Sequence, residues 1–224
     1  MTNPLTVAII GSSGLIGSQL LDLLKERKDI KEIRLLVRRE NGLKFTGIRE
    51  CVIHFEDLNA YGAALQGCDL VFCAIGTTRN KVKGDKEAYR KVDVDIPIHA
   101  AQLAAKAGVK AFMLVSSVGA NAAASNYYLQ FKGEVEDTIR QLPIPNIGFF
   151  RPSLLLGPRM EYRLGEKISQ ALMIPLTPLI PSNYKPIHAR QVATAMIHTA
   201  FNGEKGVHVL HYKEMQAVNS SSKS

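Results

Sequence analysis

The chain alternates between short, almost continuously apolar runs and longer segments in which apolar residues recur at helical spacing. The runs are typical of strands buried in a parallel sheet, and the longer segments of helices with one buried face. We predict strands over 5–10, 32–37, 51–55, 69–75, 110–115, 146–150 and 207–210, and helices over 15–24, 85–107, 128–142 and 189–201, with a short one reaching 65. Pro97 is expected to kink or divide the helix over 85–107. The alternation predicts the α/β class, with a doubly wound, mostly parallel sheet.

No repeat or linker divides the chain, so residues 1–218 are interpreted as one domain. A small C-terminal, substrate-side appendage is expected to come mainly from residues 152–190. Within it, the apolar stretch 171–181 is interrupted by prolines, which excludes a membrane-spanning helix. Core packing is the preferred interpretation of that stretch, ahead of a substrate cover, an oligomer contact or a membrane-surface contact. Residues 219–224 are expected to form a flexible tail.

Composition narrows the class of protein and of ligand. The chain has 224 residues, of which 46% are hydrophobic and 21% charged, as expected for one soluble globular domain. Three scattered cysteines argue for a reducing compartment, and the run before Gly11 is too short for a signal peptide or a membrane span. These features predict a cytoplasmic protein without a transmembrane segment. The net charge of +8 suits an anionic small ligand, whereas the lack of a dense basic run and of tryptophan disfavours nucleic acid.

A glycine-rich turn joins the first predicted strand to the first predicted helix. Its residues are Gly11, Ser12, Ser13, Gly14, Leu15, Ile16 and Gly17. Such a turn brings backbone N–H groups and the positive end of a helix dipole against an anion, and side chains at the glycine positions would block that approach. The spacing also fits an ordinary tight turn with close helix packing, but the strand and helix on either side favour a site for a dinucleotide pyrophosphate.

The residues after the second predicted strand indicate which dinucleotide is preferred. About 20 residues beyond the glycine turn, an NAD site places a carboxylate for the ribose diol. This chain has Arg38 and Arg39 there, and guanidinium groups suit the 2′-phosphate of NADP. Glu40 would restore an acidic group after a shift of one residue, and two solvated arginines are the simpler alternative. We predict that NADP(H) is preferred over NAD(H), with Asp57 and Leu58 near the adenine.

Further polar groups follow the fourth and fifth predicted strands. The fourth ends in Ala74, Ile75, Gly76 and Thr77, followed by Thr78 and Arg79, and the fifth ends in Ser116 and Ser117. Ligands of open α/β sheets bind at the carboxyl ends of the strands, so these groups are expected at the edge that carries the glycine turn. A slip of one residue at the strand end would exchange the directions of the two serines, so the choice between them stays open.

Tyr128 and Lys132 stand four residues apart at the start of a predicted helix, which places both on one helical face. A phenol exchanges protons poorly at neutral pH, and a neighbouring ammonium lowers its pKa towards the working range. A tyrosine and a lysine at this spacing arise readily by chance. Their position soon after the strand that ends at Ser117 is what points to chemistry. The alternative is a tyrosine that packs and a lysine that is solvated.

The order of these motifs resembles the short-chain dehydrogenase/reductase superfamily over most of the chain. The resemblance is carried by the glycine turn, by Ala74-Ile75-Gly76, by Ser116-Ser117 and by Tyr128 with Lys132. Segments 150–158 and 185–193 are similar to parts of the atypical, extended branch, although Gln191 stands where an aspartate is usual. Stretches 76–79 and 128–136 look most like the Tat-interacting-protein oxidoreductase group, which is related to NmrA-like and epimerase-like proteins. The resemblance implies a Rossmann fold.

The same resemblance implies an NADP-dependent oxidoreductase that acts on a small carbonyl or alcohol. Tyr128 would exchange a proton with the reacting oxygen, and Lys132 would assist it and hold the nicotinamide ribose. Ser117, or alternatively Ser116, would hydrogen-bond that oxygen. Ser116, Lys132, Arg151 and Pro152 are expected among the cofactor contacts.

Two points of the resemblance stay open. Asp93 or Asp95 falls where many relatives have a structural asparagine, so their proton relay is not carried over to this chain. Several relatives are described as non-catalytic, so the alternative function is an NADP(H)-binding redox-sensing regulator that binds a protein partner. The sequence leaves the substrate, the turnover of bound cofactor and the oligomeric state unassigned.

Overall fold

The computed structural model describes residues 3–42, 45–77, 84–156 and 182–221 of the chain. Its strands are β1 (Leu5–Ile10), β2 (Ile30–Val37), β3 (Ile48–Val52), β4 (Leu70–Cys73), β5 (Ala111–Val115), β6 (Asn146–Phe150), β7 (Leu155–Leu156), β8 (Ile187–His188) and β9 (Gly206–Leu210). Seven of them form one sheet in the order β3-β2-β1-β4-β5-β6-β9, and β7 pairs with β8 in a small second sheet. Every strand pair formed by these residues is parallel.

Helices lie on both faces of the large sheet. They are α1 (Leu15–Leu24), α2 (Leu58–Leu65), α3 (Lys86–Arg90), α4 (Ile96–Lys106), α5 (Tyr127–Arg140), α6 (Ala189–Phe201) and α7 (Tyr212–Ser221). A π-helical segment, Lys91–Asp95, joins α3 to α4, and a 3-10 turn covers Ser182–Tyr184. Within the described ranges, no helix is both long and apolar enough to cross a membrane. The predicted doubly wound α/β fold is confirmed.

Each central strand sends alternate side chains into two apolar layers. On one face, Val7 and Ile9 of β1 are buried with residues of α1 and α6. On the other face, Ala8 and Ile10 are buried with residues of α2, α4 and α5. Because both faces are covered, a central strand has no solvent-facing side, and this accounts for apolar runs rather than strict alternation in the sequence.

The order of the strands reverses at β1 and β4, which are neighbours in the sheet but not in the chain. The chain leaves β1 towards α1 on one face, whereas α4, which follows β4, packs on the other. The two exits stay close together, since the N–H of Ala74 donates to the carbonyl of Ile10 at 2.9 Å. Such a reversal opens a crevice at the carboxyl ends of the strands, where ligands of this fold class bind.

The third strand differs from the predicted range 51–55. It runs over Ile48–Val52 because it is an edge strand whose register is set by pairing with β2. The apolar residues Ile53 and Phe55 are buried after the strand has ended. An edge strand packs against one neighbour only, so its own residues are less apolar than those of a central strand and its start is poorly marked in the sequence.

Two differences concern helices. The helix expected over 85–107 is divided into α3, the π-helical segment and α4, and Pro97 lies in the first turn of α4, directly after the π-helical segment. Helix α7 was not predicted, and residues 219–221 of the expected tail belong to it. Expectations for Thr78, Arg79 and the stretch 171–181 fall outside the described residues.

Candidate functional site

The turn after β1 is shaped by glycines in close backbone contact. Gly11 has a φ of +87°, a region that favours glycine, and a β-carbon there would lie 2.8 Å from the carbonyl carbon of Ala74. A β-carbon at Gly17 would lie 2.0 Å from the carbonyl oxygen of Gly11. At Gly14 the distance to the same oxygen would be 3.2 Å. These contacts place the start of α1 directly on the turn and beside the end of β4.

The amino-terminal end of α1 has no counter-charge of its own. Gly14 is the N-cap, no described side chain caps the helix, and its first turn contains no acidic residue. Ser13 and Gly14 are exposed, whereas Ser12 is buried. An uncapped helix start with a positive dipole end and an open backbone accepts phosphate oxygens, so this turn fits a dinucleotide pyrophosphate.

Arg38 and Arg39 follow β2 directly and are exposed, as is Glu40. Neither guanidinium has a hydrogen-bond or ion-pair partner in the part of the chain that the structure describes. The following backbone is held to β3, because the carboxylate of Glu50 accepts from the N–H groups of residues 41 and 42 at 3.1–3.2 Å. Two cations and one carboxylate are thus available at the edge where the 2′-phosphate was predicted.

Asp57 has a structural role. It is the N-cap of α2, and its carboxylate accepts from the N–H groups of Asn59 and Ala60, both at 3.0 Å. Leu58 is 44% exposed and has no such role. Leu58 is therefore available for an apolar contact with an adenine ring, whereas the Asp57 carboxylate is already bonded to the start of α2.

A buried ion pair joins α5 to the π-helical segment. The ammonium of Lys132 lies 3.0 Å from Asp93 Oδ1, and the two side chains are 7% and 2% exposed. The other carboxylate oxygen, Oδ2, accepts from the N–H of Thr77 at 2.7 Å. Asp95, two residues further on, faces Arg90 at 3.9 Å with 41% of its side chain exposed. Of the two candidate aspartates, Asp93 is the one at the site.

The environment keeps Lys132 charged at neutral pH. Burial lowers the pKa of Lys132, but the electrostatic interactions with Asp93 and Tyr128 and the hydrogen bond to Asp93 outweigh it, so this pKa lies above its ordinary value. Cys73, at the end of β4, interacts with the same group, and burial raises the pKa of its thiol to about 12. The neutral thiol leaves Asp93 as the negative partner of Lys132 among the described residues.

Tyr128 is held in the first turn of α5 by the loop before the helix. Asn126 is the N-cap and accepts from the N–H of Tyr128 at 2.9 Å. The loop from Ser117 to α5 is pressed against Gly133, where a β-carbon would lie 2.1 Å from the backbone nitrogen of Ala122. A glycine next to Lys132 is therefore what lets this loop approach the helix.

The ring of Tyr128 is half-buried and stands edge-on to Tyr89, with ring centroids 6.4 Å apart and an interplanar angle of 88°. Tyr89 is itself buried, and its hydroxyl donates to the carbonyl of Thr77 at 3.4 Å. Thr77 is thus bonded through its N–H to Asp93 and through its carbonyl to Tyr89. The loop after β4 is tied to both groups that flank the Tyr128–Lys132 pair.

The two serines after β5 have different surroundings. Ser116 Oγ donates to Glu136 at 2.5 Å, and the same carboxylate accepts from Nε and Nη2 of Arg151 at 2.9 and 2.6 Å. Ser117 Oγ donates at 3.2 Å to the carbonyl of Val118, its one side-chain hydrogen bond within the described ranges. Ser116 and the Arg151 guanidinium are therefore committed to a buried network, and Ser117 is the hydroxyl with bonding capacity left.

Sequence reasoning gave no role to two residues of this site. Asp93 was named only with Asp95, and Glu136 only as part of a motif. Each is a carboxylate among buried apolar residues, Asp93 beside Val94 and Glu136 between Val135 and Ile139. An isolated carboxylate on a buried face needs a partner, and that was the available signal.

Two cavities formed by the described residues lie away from the site. One of about 370 Å³ lies at the amino-terminal edge of the sheet and is lined by Leu5, Asn146 and Phe201 among others, and one of about 330 Å³ lies beside β3. Neither is lined by Ser117 or Tyr128. The site is identified by its hydrogen bonds and charges.

Comparison with known proteins agrees with this geometry. The sequence model of a family described as NAD(P)H-binding matches residues 11–145, which run from the glycine turn to the start of β6. Protein HTATIP2 of Rattus norvegicus is 37% identical over 168 residues, covering 74% of this chain and 69% of that protein. Protein FMP52, mitochondrial, of Candida albicans is 32% identical over 204 residues, covering 88% of this chain and 89% of that protein.

A solved structure shares the fold at much lower sequence identity. MoeE5 in complex with UDP-glucose and NAD superposes with a TM-score of 0.69 at 17% identity, covering 97% of this chain and 82% of that one. This likeness concerns the fold alone.

The names of the FMP52 relatives contradict the predicted cytoplasmic location. Three of them, 32–33% identical over 86–88% of the chain, are named mitochondrial. The prediction was wrong because it rested on scattered cysteines, which are free thiols at residues 51, 68 and 73 in the structure. A free thiol indicates reducing surroundings and does not distinguish one reducing compartment from another.

Three observations lead to the same assignment. They are the glycine turn, at which the family match begins, the reversal of strand order beside that turn, and the similarity to HTATIP2 and FMP52. The chain belongs to the NAD(P)H-binding family, has a Rossmann-like α/β fold, and is related to HTATIP2 and FMP52.

Proposed function

We propose that the chain is an NADP(H)-dependent oxidoreductase that acts on a small carbonyl or alcohol. The observation that carries the proposal is the charged Lys132, buried one turn from Tyr128 at the sheet edge that bears the glycine turn. A buried ammonium is costly unless its N–H groups have partners, and among the described residues this one faces a single carboxylate, that of Asp93, and lies beside a phenol.

The residues divide the chemistry among them. Tyr128 gives a proton to the substrate oxygen during reduction and removes it during oxidation. The ammonium of Lys132 has N–H groups to offer to ribose hydroxyls. Ser117, whose hydroxyl is free of the Glu136 network, holds the reacting oxygen. The nicotinamide, when bound, supplies the two-electron redox chemistry.

The remaining assigned residues bind the dinucleotide. Residues 11–17 take the pyrophosphate, Arg38 and Arg39 take the 2′-phosphate, and Leu58 with Asp57 flanks the adenine. The sheet edge that bears the glycine turn is also lined by Ala74, Ile75, Gly76, Thr77, Ser116 and Pro152. Because its guanidinium is held by Glu136, Arg151 contributes through its backbone rather than its charge. Residues 152–190 contribute the substrate side of the single domain.

Substitution of Tyr128 by phenylalanine tests the proposed proton transfer. Tyr128→Phe keeps the ring but removes the hydroxyl, so we expect NADPH binding to stay nearly unchanged and turnover to fall by roughly 100-fold or more. The measurement is NADPH oxidation with a panel of small aldehydes and ketones. Tyr127→Phe is the matched control, since Tyr127 is also half-buried in the first turn of α5. Unchanged turnover in Tyr128→Phe would overturn the mechanism.

The same panel separates the enzyme from the regulator. Tight NADPH binding without turnover of any member, together with a protein partner captured only in the presence of cofactor, would replace the oxidoreductase with the alternative function. A chain that binds neither NADPH nor NADH would exclude both.

Cofactor preference is tested at Arg38 and Arg39. We expect NADPH to bind more tightly than NADH, and Arg38→Ala and Arg39→Ala to weaken NADPH roughly tenfold each while leaving NADH unchanged, because a charge-assisted bond to the 2′-phosphate is lost. Titration calorimetry measures the constants. Arg49→Ala, an exposed arginine on the neighbouring edge strand, is the control. Equal affinities for the two dinucleotides in the unaltered chain would contradict the assignment.

A further inference from the structure

The cavity at the amino-terminal edge of the sheet lies opposite the proposed reaction site. It has a volume of about 370 Å³ and is formed at the starts of β1, β4 and β6, beside the last turn of α6. A volume of this size falls within the range of small-molecule sites. The six residues of β1 separate this cavity from the glycine turn by about 20 Å, so a ligand bound there could not react at Tyr128.

The walls of the cavity are mainly apolar. They are formed by Leu5, Leu70, Pro145, Ala200 and Phe201. Leu70 and Ala200 are buried, and Phe201 stacks with Arg27, whose guanidinium carbon lies 3.8 Å from the ring centroid. Such walls favour an apolar chain over a polar ligand, because the chain and the wall both lose contact with water.

One polar side chain among the lining residues is incompletely bonded. Asn146 is 4% exposed, and its amide nitrogen donates to the carbonyl of Thr199 in α6 at 2.8 Å. Its Oδ1 atom is buried and accepts no hydrogen bond from the described residues. Buried polar atoms normally have partners, so the described chain does not complete its own packing at this point.

Two lysines line the same cavity and are exposed, which places them at its mouth. Lys110 lies 2.8 Å from Asp69 Oδ1, and the other oxygen of Asp69 accepts from the N–H of Thr6 at 2.9 Å. Lys205 has no hydrogen-bond or ion-pair partner within the described ranges, and its neighbour Glu204 is exposed. An apolar cavity with an unpaired ammonium at its mouth fits a ligand that has an apolar chain and one anionic end.

We propose that this cavity binds a medium-chain monocarboxylate, with the chain against Leu70, Ala200 and Phe201 and the carboxylate at Lys205. Removal of apolar surface from water binds the chain, and a charge-assisted hydrogen bond binds the carboxylate. The site is a second one, independent of the proposed function, since it shares no residue with the glycine turn or with the Tyr128–Lys132 pair.

A tryptophan reporter tests where the ligand binds. The chain contains no tryptophan, so a single introduced indole reports on its own surroundings. Phe201→Trp places it in the cavity wall and keeps an aromatic ring for Arg27. Tyr212→Trp, at the start of α7 beyond the carboxyl end of β9, is the matched control. With decanoate brominated in mid-chain, below its micellar concentration, we expect saturable quenching by bromine in Phe201→Trp and none in Tyr212→Trp.

Reversal of one charge tests the position of the carboxylate. In Lys205→Glu we expect decanoate to bind about tenfold more weakly, because an attractive contact becomes a repulsive one. Lys213→Glu, at an exposed lysine of α7, should bind decanoate as the unaltered chain does. Decanol has the same chain without the charge and should bind equally to both variants. Titration calorimetry measures these constants without the tryptophan, so the comparison holds even if Phe201→Trp folds poorly.

Three outcomes would overturn the proposal. They are the absence of decanoate binding, equal quenching in the two tryptophan variants, and equal decanoate affinity in Lys205→Glu and Lys213→Glu. Each of them leaves the proposed function standing, because NADPH binding and turnover are measured separately at the opposite edge of the sheet.

Discussion

Helix α5 carries two buried ion pairs one turn apart, and they differ in what they leave unused. The Glu136 carboxylate accepts two bonds from Arg151 and one from Ser116, so each of its oxygens has a partner within the protein. The Lys132 ammonium can donate three bonds, and Asp93 is its acceptor in the described part of the chain. The first pair ties β5, β6 and α5 together, whereas the second has donors left for a ligand.

The difference gives a criterion for interpreting buried charges in this fold. A buried charge whose partners are complete is explained by the architecture, because the network satisfies itself. A buried charge with spare donors beside a phenol and an open loop is explained only by something that binds there. Both pairs include a nearly fully buried carboxylate and a partner on α5, so they can be compared by the number of hydrogen-bond partners that each carboxylate and cation has.

The largest loss of stability is expected when the network of Glu136 with Arg151 and Ser116 is broken. Glu136→Gln keeps the shape of the side chain but removes the charge that holds Arg151, so we expect the free energy of unfolding to fall by about 3 kcal/mol. Urea unfolding at neutral pH measures it. Asp137→Asn, at the exposed neighbouring position of α5, should change it by less than about 0.5 kcal/mol. Equal effects at the two positions would contradict a structural role for the network.

A smaller loss of stability is expected from substitution of Gly133, which lies between Lys132 and Glu136 on α5. In Gly133→Ala the added methyl group meets backbone at Asn121 and Ala122, which cannot move as a side chain would, so we expect a loss of about 1–3 kcal/mol in thermal unfolding. Gly62→Ala is the control, because only the Leu103 side chain, at 3.3 Å, must give way. There the better helix propensity of alanine, roughly 1 kcal/mol, should offset the crowding.

NADPH binding gives a second measurement by which Gly133→Ala and Gly62→Ala can be compared. Because the loop pressed on Gly133 leads from Ser117 to Tyr128, the substitution should weaken NADPH binding or turnover as well as stability. A Gly133→Ala variant with the stability of Gly62→Ala would show that the loop adjusts freely.

The smallest effect is expected from a third pair on the same helix, Arg90 with Glu134, in which both side chains are more than one third exposed. The hydrogen bond from Arg90 lowers the pKa of Glu134; burial opposes this slightly, and the charge of Arg90 adds to it. A lowered carboxyl pKa stabilises the fold above the ordinary value of 4.5, and this contribution is lost as the pH falls through the folded-state pKa.

Glu134→Gln should therefore cost less than about 1 kcal/mol at neutral pH, after allowance for solvent screening. The difference from the unaltered chain should shrink as the pH falls below 4.5 and through the lowered folded-state pKa of Glu134, because protonation removes the charge that Arg90 stabilises. Urea unfolding at neutral pH and below pH 4.5 measures it. A loss as large as that of Glu136→Gln would show that exposure does not separate these pairs.

The elements that local patterns predicted well are those in which the pattern and the packing agree. The strand, turn and helix from Leu5 to Leu24 are confirmed, because continuous apolar residues, three spaced glycines and helical periodicity act within one short stretch. The start of β3 and the existence of α7 were missed. An edge strand takes its register from its neighbour, and a short, polar terminal helix depends on packing for its stability.

At the site, sequence placed Tyr128 and Lys132 on one helical face and left the two serines undecided. The structure separates the serines through Glu136, which lies 20 residues from Ser116 in the chain. Proline was expected to kink the long third helix, and the distortion occurs as a π-helical turn just before Pro97. That turn contains Asp93, which lies 3.0 Å from Lys132.

The sequence by itself determined the glycine turn, the α/β class and the spacing of tyrosine and lysine, since each depends on residues within a few positions of one another. Only the tertiary structure decided which carboxylates meet Lys132, Arg151 and Ser116. Ion pairs and hydrogen bonds act over a few ångströms. Their partners here come from separate helices and strand ends, so they are chosen by the order of strands in the sheet and by the packing of helices on it.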